Sequence, residues 1–167
     1  QWFPGHMAKA TRLIKEKLKL IEIAIELVDA RLPYSSHNPM LDQLVKEKPR
    51  LIVLNKKDLA DPKITEKWIQ YYEGSGLHAL AVNAQTGENV NKVYALCQTL
   101  VQDQLEKRLQ KGMRSRPIRA LIMGIPNVGK SSLINRLAKR QATRTGDRPG
   151  ITKGQQWIKT NGPLELL

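Results

Sequence analysis

The chain has 167 residues, of which 41% are hydrophobic and 26% charged, so it is long enough to bury the core of one ordinary globular domain. Its apolar stretches fall short of the roughly 18 residues that a transmembrane helix needs, and its start lacks the layout of a signal peptide. We therefore expect a soluble, cytoplasmic protein. The single cysteine, Cys97, lies among apolar residues at helical spacing, which predicts a buried thiol without chemistry.

The positive charge is concentrated in the last third of the chain. Residues 1–104 hold 14 basic and 12 acidic side chains, a net charge of +2, whereas residues 105–167 hold 14 and 3, a net charge of +11. This asymmetry and a pI near 10.0 favour a polyanionic partner. We expect RNA rather than a membrane surface, because no segment combines bulky apolar residues with a basic face.

The N-terminal part predicts a turn, a helix and a strand. Trp2 to Met7 reads as an aromatic turn because it holds a Pro-Gly pair, and an amphipathic pattern predicts a helix from Met7 to about Leu20. Ile21 to Val28 is rich in β-branched residues, which predicts a strand that ends at Asp29-Ala30-Arg31-Leu32-Pro33. We assign Asp29-Ala30-Arg31 a structural loop role. A short helix is predicted to start at Asn38-Pro39.

A candidate guanine-reading motif follows the next predicted strand. Leu51 to Leu54 is an apolar run typical of a strand buried on both faces, and it leads into Asn55-Lys56-Lys57-Asp58, an N-K-x-D sequence. An ionised Asp58 can accept hydrogen bonds from guanine N1–H and the 2-amino group, which adenine does not offer there. Asn55 is expected to hold the loop and face N7, and the stem of Lys56 to lie along the ring. Alone, the tetrapeptide would also fit a solvated loop.

A second loop of this kind follows the strand predicted from His78 to Val82. The segment 83–87 corresponds to the S-A-K loop of GTPases, in which the alanine amide donates to guanine O6, so Asn83 and Ala84 are candidate guanine-binding residues. Asn replaces Ser and Gln replaces Lys here, and a simple turn stays the alternative. Helices are predicted over Ile64 to Tyr72 and from about Asn89 to Leu109.

A complete phosphate-loop motif, G-x-x-x-x-G-K-[ST], occupies residues 124–131. It follows an apolar run, Ala120 to Met123, and opens a helical pattern, which is the setting that the motif requires. Lys130 would reach the β- and γ-phosphates, and the Ser131 hydroxyl would ligate Mg²⁺. An ordinary glycine turn before a helix is the alternative. The candidate phosphate-binding residues are Asn127, Val128, Gly129, Lys130, Ser131 and Ser132.

The segment 143–154 is polar, contains three glycines and predicts a mobile loop. In GTPases the corresponding segment supplies a threonine that completes the Mg²⁺ shell when the γ-phosphate is present, and Thr152 is the candidate here. Two strands, Gln156 to Thr160 and Leu164 to Leu167, are predicted around the turn at 161–163.

The order of these motifs predicts a permuted fold. Both guanine-reading motifs precede the phosphate loop, the reverse of the usual order, but every loop follows a strand, and a doubly wound sheet binds its ligand at the carboxyl ends of its strands whatever their connection. We therefore predict an α/β P-loop NTPase over residues 1–167: a circularly permuted, mostly parallel, doubly wound sheet with helices on both faces.

The chain resembles the circularly permuted GTPases, and within them the ribosome biogenesis GTPase A family of bacteria, which acts in late maturation of the large (50S) ribosomal subunit. The resemblance is carried by W-F-P-G-H-M-A-K-A at 2–10, D-A-R-L-P at 29–33, S-S-H-N-P-M at 35–40, the two motifs at 55–58 and 124–131, and D-R-P-G-I-T at 147–152. It implies a D-T-P-G segment and a helical, rRNA-binding C-terminal domain beyond Leu167. We expect this sequence to be a fragment of such a protein.

Further site residues are implied by this resemblance alone. The family hydrolyses GTP slowly by itself and faster on the ribosomal subunit, and it lacks the usual water-positioning glutamine. A histidine of the P-G-H-M segment, matched by His6, is implicated in catalysis, and Lys130 belongs to the same catalytic set. Asn127 matches an asparagine that helps to bind K⁺ in related GTPases, where the cation offsets charge near the transferred phosphate.

The sequence thus predicts a monomeric, cytoplasmic enzyme that binds GTP and GDP with Mg²⁺ and K⁺, hydrolyses GTP and acts on the large ribosomal subunit and its rRNA, without a membrane partner. The alternative is an rRNA-binding module gated by guanine nucleotide, in which hydrolysis is incidental. The absence of a visible glutamine or arginine finger keeps that alternative open.

Overall fold

A six-stranded, mostly parallel sheet organises the part of the chain that the computed structural model describes, which is residues 4–36, 42, 48–113, 117–124, 128–138, 157–160 and 164–166. Its elements are, in chain order, α1 (Pro4–Leu18), β1 (Ile23–Asp29), β2 (Arg50–Asn55), a 3-10 turn (Lys57–Leu59), α2 (Pro62–Gly74), β3 (His78–Ala81), α3 (Lys92–Leu100), α4 (Gln102–Gln110), β4 (Ile118–Gly124), α5 (Lys130–Leu137), β5 (Ile158–Lys159) and β6 (Leu164–Leu166). Among these described helices, none is long and apolar enough to cross a membrane.

The strand order, β3-β2-β1-β4-β6-β5, contains a reversal that defines the site. The five neighbouring strands β3, β2, β1, β4 and β6 pair in parallel, and β5, at the edge of the sheet, pairs antiparallel with β6. The chain first adds β2 and β3 on one side of β1 and then places β4 on its other side. Doubly wound sheets bind ligands in the crevice that such a reversal opens at the carboxyl ends of the strands. The predicted permuted α/β fold is confirmed.

β1 is buried on both faces because helices cover both faces of the sheet. Ile23, Ile25 and Leu27 pack into the main core together with α3 and α5. Ala24 and Val28 point to the opposite face, where α1 and α2 pack. Fully burying an aliphatic side chain of this size contributes about 1.5–3 kcal/mol, so these alternating rows fix the register of the strand.

The predicted buried thiol is confirmed. Cys97 lies on α3 within the main core, and burial raises its pKa to about 12. A thiol of this kind stays protonated at neutral pH and behaves as a small apolar side chain.

Two predicted elements differ from the structure. Helix α1 begins at Pro4, so the turn predicted from Trp2 to Met7 is wrong from Pro4 onward; proline fits a first helical turn because the amides there have no partner within the helix. The single helix predicted from Asn89 to Leu109 is divided into α3 and α4 at Val101, whose backbone leaves the helical region (φ −108°, ψ 8°). Val101 stays fully buried, whereas α4 contains no buried residue and lies on the surface. The helix predicted at Asn38-Pro39 lies outside the described residues.

A buried ion pair crosses the first two strands on the face that carries α1 and α2. Arg50, at the start of β2, donates from Nε to Glu26 Oε1 of β1 at 3.1 Å and also from Nη2 to the same oxygen. Its Nη1 donates to Asp42 at 2.8 Å. The side chains of Arg50 and Glu26 are 6% and 1% exposed, so each charge depends on the other in place of water.

We expect Arg50→Met to lower the free energy of unfolding by about 3–5 kcal/mol, because it leaves the Glu26 carboxylate buried without its cation. The double variant Glu26→Leu/Arg50→Met should regain most of this loss, since it removes both charges. Urea denaturation measures both. The control is Glu88→Gln, which removes the exposed partner of Lys57 and should cost less than about 1 kcal/mol. If Arg50→Met costs no more than this control, the pair does not act as a buried one.

Candidate nucleotide-binding site

Four loops meet at the carboxyl edge of the sheet. The register pairs Asp29 of β1 with Asn55 of β2, Leu54 of β2 with Ala81 of β3, and Leu27 of β1 with Gly124 of β4, so the four strands end at about the same level. The loops that follow them therefore lie side by side. They contain the two predicted guanine-reading motifs, the Asp29 turn and the phosphate loop.

The side chain of Asn55, at the end of β2, connects this strand to the phosphate loop and to the loop after β3. Its Nδ2 donates to the carbonyl of Val128 in the phosphate loop at 2.8 Å, and its Oδ1 accepts from the amide of Ala84 in the loop after β3 at 2.9 Å. The residue is 4% exposed. Both ends of this amide are thus engaged by protein, and the Ala84 amide that the resemblance assigns to guanine O6 is bonded to Asn55.

Gly129 is required where the phosphate loop passes Asn55. Its φ is +92°, a left-handed conformation that side chains disfavour, and a Cβ built on it would collide with Asn55 Nδ2. The backbone approaches this closely only because glycine has no side chain. Gly124, at the other end of the loop, faces the Val128 side chain, and a Cβ there would lie 3.0 Å from it.

The start of α5 supplies positive charge beside these loops. Gly129 precedes the helix, Lys130 is its first residue, and Ser131 and Ser132 are half-buried in the first turn. Lys130 is exposed as a residue, yet surrounding protein atoms desolvate its ammonium group and Lys17 of α1 repels it, and both effects lower its pKa. Two cations near the N-terminus of a helix can bind an anion, since the helix dipole and the free amides act in the same direction.

The loop after β3 is held by its own asparagine and by α5. Asn83 Oδ1 accepts the amides of Gln85 at 3.0 Å and Thr86 at 3.2 Å, which closes the loop on itself. Arg136 of α5 donates from Nε to the Ala84 carbonyl at 3.0 Å and from Nη2 to the Gln85 carbonyl. The helix that begins at the phosphate loop therefore also supports this loop.

The N-K-K-D segment leaves β2 in a tight turn. Lys56 has a left-handed backbone (φ 63°, ψ 38°), and residues 57–59 form the 3-10 turn that presents the exposed Asp58. The Lys57 amide bonds to the Val82 carbonyl at 3.1 Å, and its ammonium pairs with Glu88 at 2.6 Å. The two lysines diverge, because the Lys56 ammonium lies 3.5 Å from Asp29.

The other predicted site residues are described less fully. His6 lies in the first turns of α1, where the backbone is described, and Asn127 and Thr152 lie outside the described residues. In the described part of the chain, no group of three or more His, Cys, Asp or Glu side chains is arranged to hold a metal ion. The Mg²⁺ predicted at Ser131 does not need such a group, since this ion is commonly bound by one or two protein oxygens, phosphates and water.

Known proteins share both the sequence and this arrangement. Residues 119–167 match the family model described as 50S ribosome-binding GTPase. The chain is 58% identical to ribosome biogenesis GTPase A of Bacillus cereus over 167 aligned residues. This alignment covers 100% of this chain and 56% of that protein. The GNP-bound structure of YlqF from T. maritima matches with a TM-score of 0.62 at 30% identity, over 95% of this chain and 55% of that one. A GDP-bound structure of YlqF matches with a TM-score of 0.60 at 30% identity, over 92% of this chain and 55% of that one.

In sequence and in fold the chain is similar to circularly permuted GTPases. It spans little more than half the length of the relatives that it matches. The loops after β1, β2, β3 and β4 lie at one edge of the sheet, although the guanine-reading motifs precede the phosphate loop in the sequence.

Several residues that support these loops are not part of any motif. Arg136 supports the loop after β3, and the Tyr94 hydroxyl of α3 donates to the Leu137 carbonyl at the end of α5 at 2.9 Å. From the sequence, Arg136 is expected to be a polar residue on the exposed face of an amphipathic helix, and Tyr94 a helical residue that is partly buried. Their partners lie 52 and 43 residues away, so no local pattern identifies them.

We expect Gly129→Ala to lower the free energy of unfolding by about 3 kcal/mol, because it adds the strain of a left-handed alanine to a collision with Asn55. Gly112→Ala is the matched control: its φ is +75°, and no atom lies within 4 Å of its added Cβ. That variant should lose only about 1 kcal/mol. Denaturant titration of both variants isolates the collision from the backbone strain. Equal losses would contradict close packing of the phosphate loop on Asn55.

Proposed function

We propose that this chain is the nucleotide-binding part of an enzyme that binds and hydrolyses GTP and acts in late maturation of the large (50S) ribosomal subunit. The proposal is supported by the names of the matched relatives, ribosome biogenesis GTPase A and 50S ribosome-binding GTPase. The GNP- and GDP-bound YlqF structures support guanine nucleotide as the ligand. The chain's own residues supply the physical reasons.

The observation that carries the proposal is the pair of hydrogen bonds made by Asn55. They tie the base-reading turn at 55–58 to Val128 of the phosphate loop and to Ala84 of the loop after β3. A nucleotide needs its base site and its phosphate site at a fixed separation, and this link provides that separation before the nucleotide arrives. Preorganisation of this kind reduces the entropy that binding would otherwise lose.

In the proposed mode, each motif residue has a distinct task. Asp58 accepts hydrogen bonds from guanine N1–H and the 2-amino group, and the stem of Lys56 lies along the ring. Asn83 and Ala84 form the wall near guanine O6. Asn55 holds these loops together through one hydrogen of Nδ2 and through Oδ1, and the second hydrogen of Nδ2 would face guanine N7. Lys130 and the first-turn amides of α5 bind the phosphates.

The chemistry at the γ-phosphate is proposed for five residues. Ser131 and Thr152 would ligate Mg²⁺, which when bound neutralises developing phosphate charge. Asn127 would help to hold K⁺ beside the phosphates, and His6 would assist attack by water. Lys130 draws electron density from the transferred group, and its lowered pKa is reversed when phosphate oxygens surround the ammonium.

An rRNA partner is proposed from the charge. Lys107 and Lys111, at the end of α4, and Lys159 of β5 are exposed, and they belong to the part of the chain with a net charge of +11. Exposed cations bind RNA phosphates with release of counterions. Action on the ribosomal subunit would place the protein in the cytoplasm of a bacterium, and we propose that it works as a monomer.

Base choice tests the guanine site directly. We expect the wild type to prefer GDP to ADP by at least about 100-fold, because adenine leaves the Asp58 carboxylate unpaired. Asp58→Asn should lose affinity for GDP and gain affinity for xanthosine diphosphate, whose second carbonyl accepts from the new amide. Titration with fluorescent nucleotides measures each affinity.

Asp61→Asn is the matched control, three residues away. Asp61 caps α2 by accepting the Lys63 amide at 2.9 Å, so its replacement perturbs the same region without touching the base. It should leave the GDP preference unchanged. A wild type that binds ADP as well as GDP, or an Asp58→Asn variant that keeps its guanine preference, would contradict the proposed function.

Turnover separates the enzyme from an rRNA-binding module gated by nucleotide. We expect GTP hydrolysis by the protein to be slow alone, and faster with large ribosomal subunits and with K⁺ in place of Na⁺, because the cation offsets charge at the transferred phosphate. Phosphate release measured under these four conditions gives the answer. Turnover that neither the subunit nor K⁺ changes, together with RNA affinity that depends on the bound nucleotide, would favour the module. The relatives' names favour the enzyme.

A further inference from the structure

The turn after β1 carries a carboxylate that one arginine holds in a single orientation. Asp29 Oδ1 accepts from the Arg31 amide at 2.9 Å and from Arg31 Nε at 3.0 Å, and Oδ2 accepts from Nη2 at 2.7 Å. A two-pronged guanidinium contact fixes the plane of a carboxylate as well as its position. Hydrogen bonds from Arg31 lower the pKa of Asp29 to about 2, so the group is charged throughout the physiological range.

The backbone beneath this carboxylate is fixed as well. The Asp29 amide donates to Ser36 Oγ at 2.9 Å, and the Ser36 hydroxyl donates to the Leu32 carbonyl at 2.7 Å. The Ala30 amide donates to the Asn55 carbonyl at 2.7 Å, which joins this turn to the first residue of the N-K-K-D segment. The turn therefore keeps a constant position relative to the guanine-reading loop.

The Asp29 carboxylate faces the ammonium group of Lys56. Lys56 has a left-handed φ of 63°, and its ammonium lies 3.5 Å from Asp29 Oδ2. The Asp29 side chain is 13% exposed and that of Lys56 30%, so water screens this pair less than it screens an open surface pair. Lys57 points elsewhere, to Glu88.

We propose that Asp29 and Arg31 form a positioning pair for the guanine-reading loop: Arg31 orients the Asp29 carboxylate, and that carboxylate holds the Lys56 ammonium so that the stem of Lys56 lies along the base. This inference rests on the proposed guanine site. It gives the Asp29-Ala30-Arg31 segment a role in nucleotide affinity in place of a purely structural one. Asp29 is a positioning residue, because it acts through Lys56.

A double-mutant cycle tests the coupling. We expect Asp29→Asn and Lys56→Met each to weaken binding of fluorescent GDP about tenfold, and the double variant to be no weaker than about tenfold, whereas independent residues would give about a hundredfold loss. The loss should appear as faster dissociation of GDP. At saturating GTP, turnover by Asp29→Asn should stay within about twofold of wild type, because Asp29 does not act on the phosphates.

Glu88→Gln is the matched control, since it removes the acidic partner of the neighbouring Lys57 with the same change of charge. It should change the affinity for GDP by less than about twofold. Arg31→Lys keeps the charge but loses the two-pronged contact, so it should weaken GDP about threefold. The melting temperature of Asp29→Asn shows whether that variant folds. If it does not fold, the milder variant Arg31→Lys tests the inference instead.

Additive losses in the cycle, or a Glu88→Gln variant as weak as Asp29→Asn, would overturn the inference. A guanine-selective wild type whose Asp29→Asn and Arg31→Lys variants bind GDP normally would overturn this inference alone. A wild type without guanine preference would overturn the proposed function, and this inference with it.

Discussion

The site depends on one buried asparagine amide. Asn55 donates to the phosphate loop and accepts from the loop after β3, contacts that span 73 and 29 residues of sequence. The asparagine amide donates from its nitrogen and accepts at its oxygen, whereas an aspartate would place a negative oxygen against the Val128 carbonyl. A buried backbone group left without its partner costs about 1–3 kcal/mol, so both loops depend on this residue. The bare backbone of Gly129 makes the contact possible.

The sequence predicts those parts of the fold whose signal is local. β1 and β2 are buried on both faces, so β2 appears as a continuous apolar run and β1 as an apolar run interrupted by Glu26. Their predicted ends agree with the structure within two residues. The motifs lie directly after such runs, which is why their place at the carboxyl edge follows from the strands. The turn predicted at the start of α1 is wrong because Pro-Gly, although typical of turns, is here part of the helix, and proline is equally suited to a first helical turn.

The remaining contacts join residues that are distant in the chain, and sequence patterns do not reveal them. Arg136 reads as a surface cation, yet it bonds to two carbonyls of the loop after β3. In the sequence Glu26 is a polar interruption of a strand. Its charge can be buried because Arg50, at the start of the neighbouring strand β2, donates to its carboxylate. Asp29 and Arg31 are an exception, since they are two residues apart, but their connection to Lys56 still requires the pairing of β1 with β2.

The strand order also affects how the sheet is completed during synthesis. β1, β2 and β3 leave the ribosome before β4, so β1 is an edge strand until β4 pairs with its open side. An apolar edge invites pairing with other chains, and natural proteins resist this with a charged side chain within the strand. Glu26 lies in the middle of β1 and has its partner Arg50 on β2, which is synthesised early. The ion pair that is costly to bury in the finished domain therefore also places a charged group in the middle of the strand that stays an edge until β4 is made.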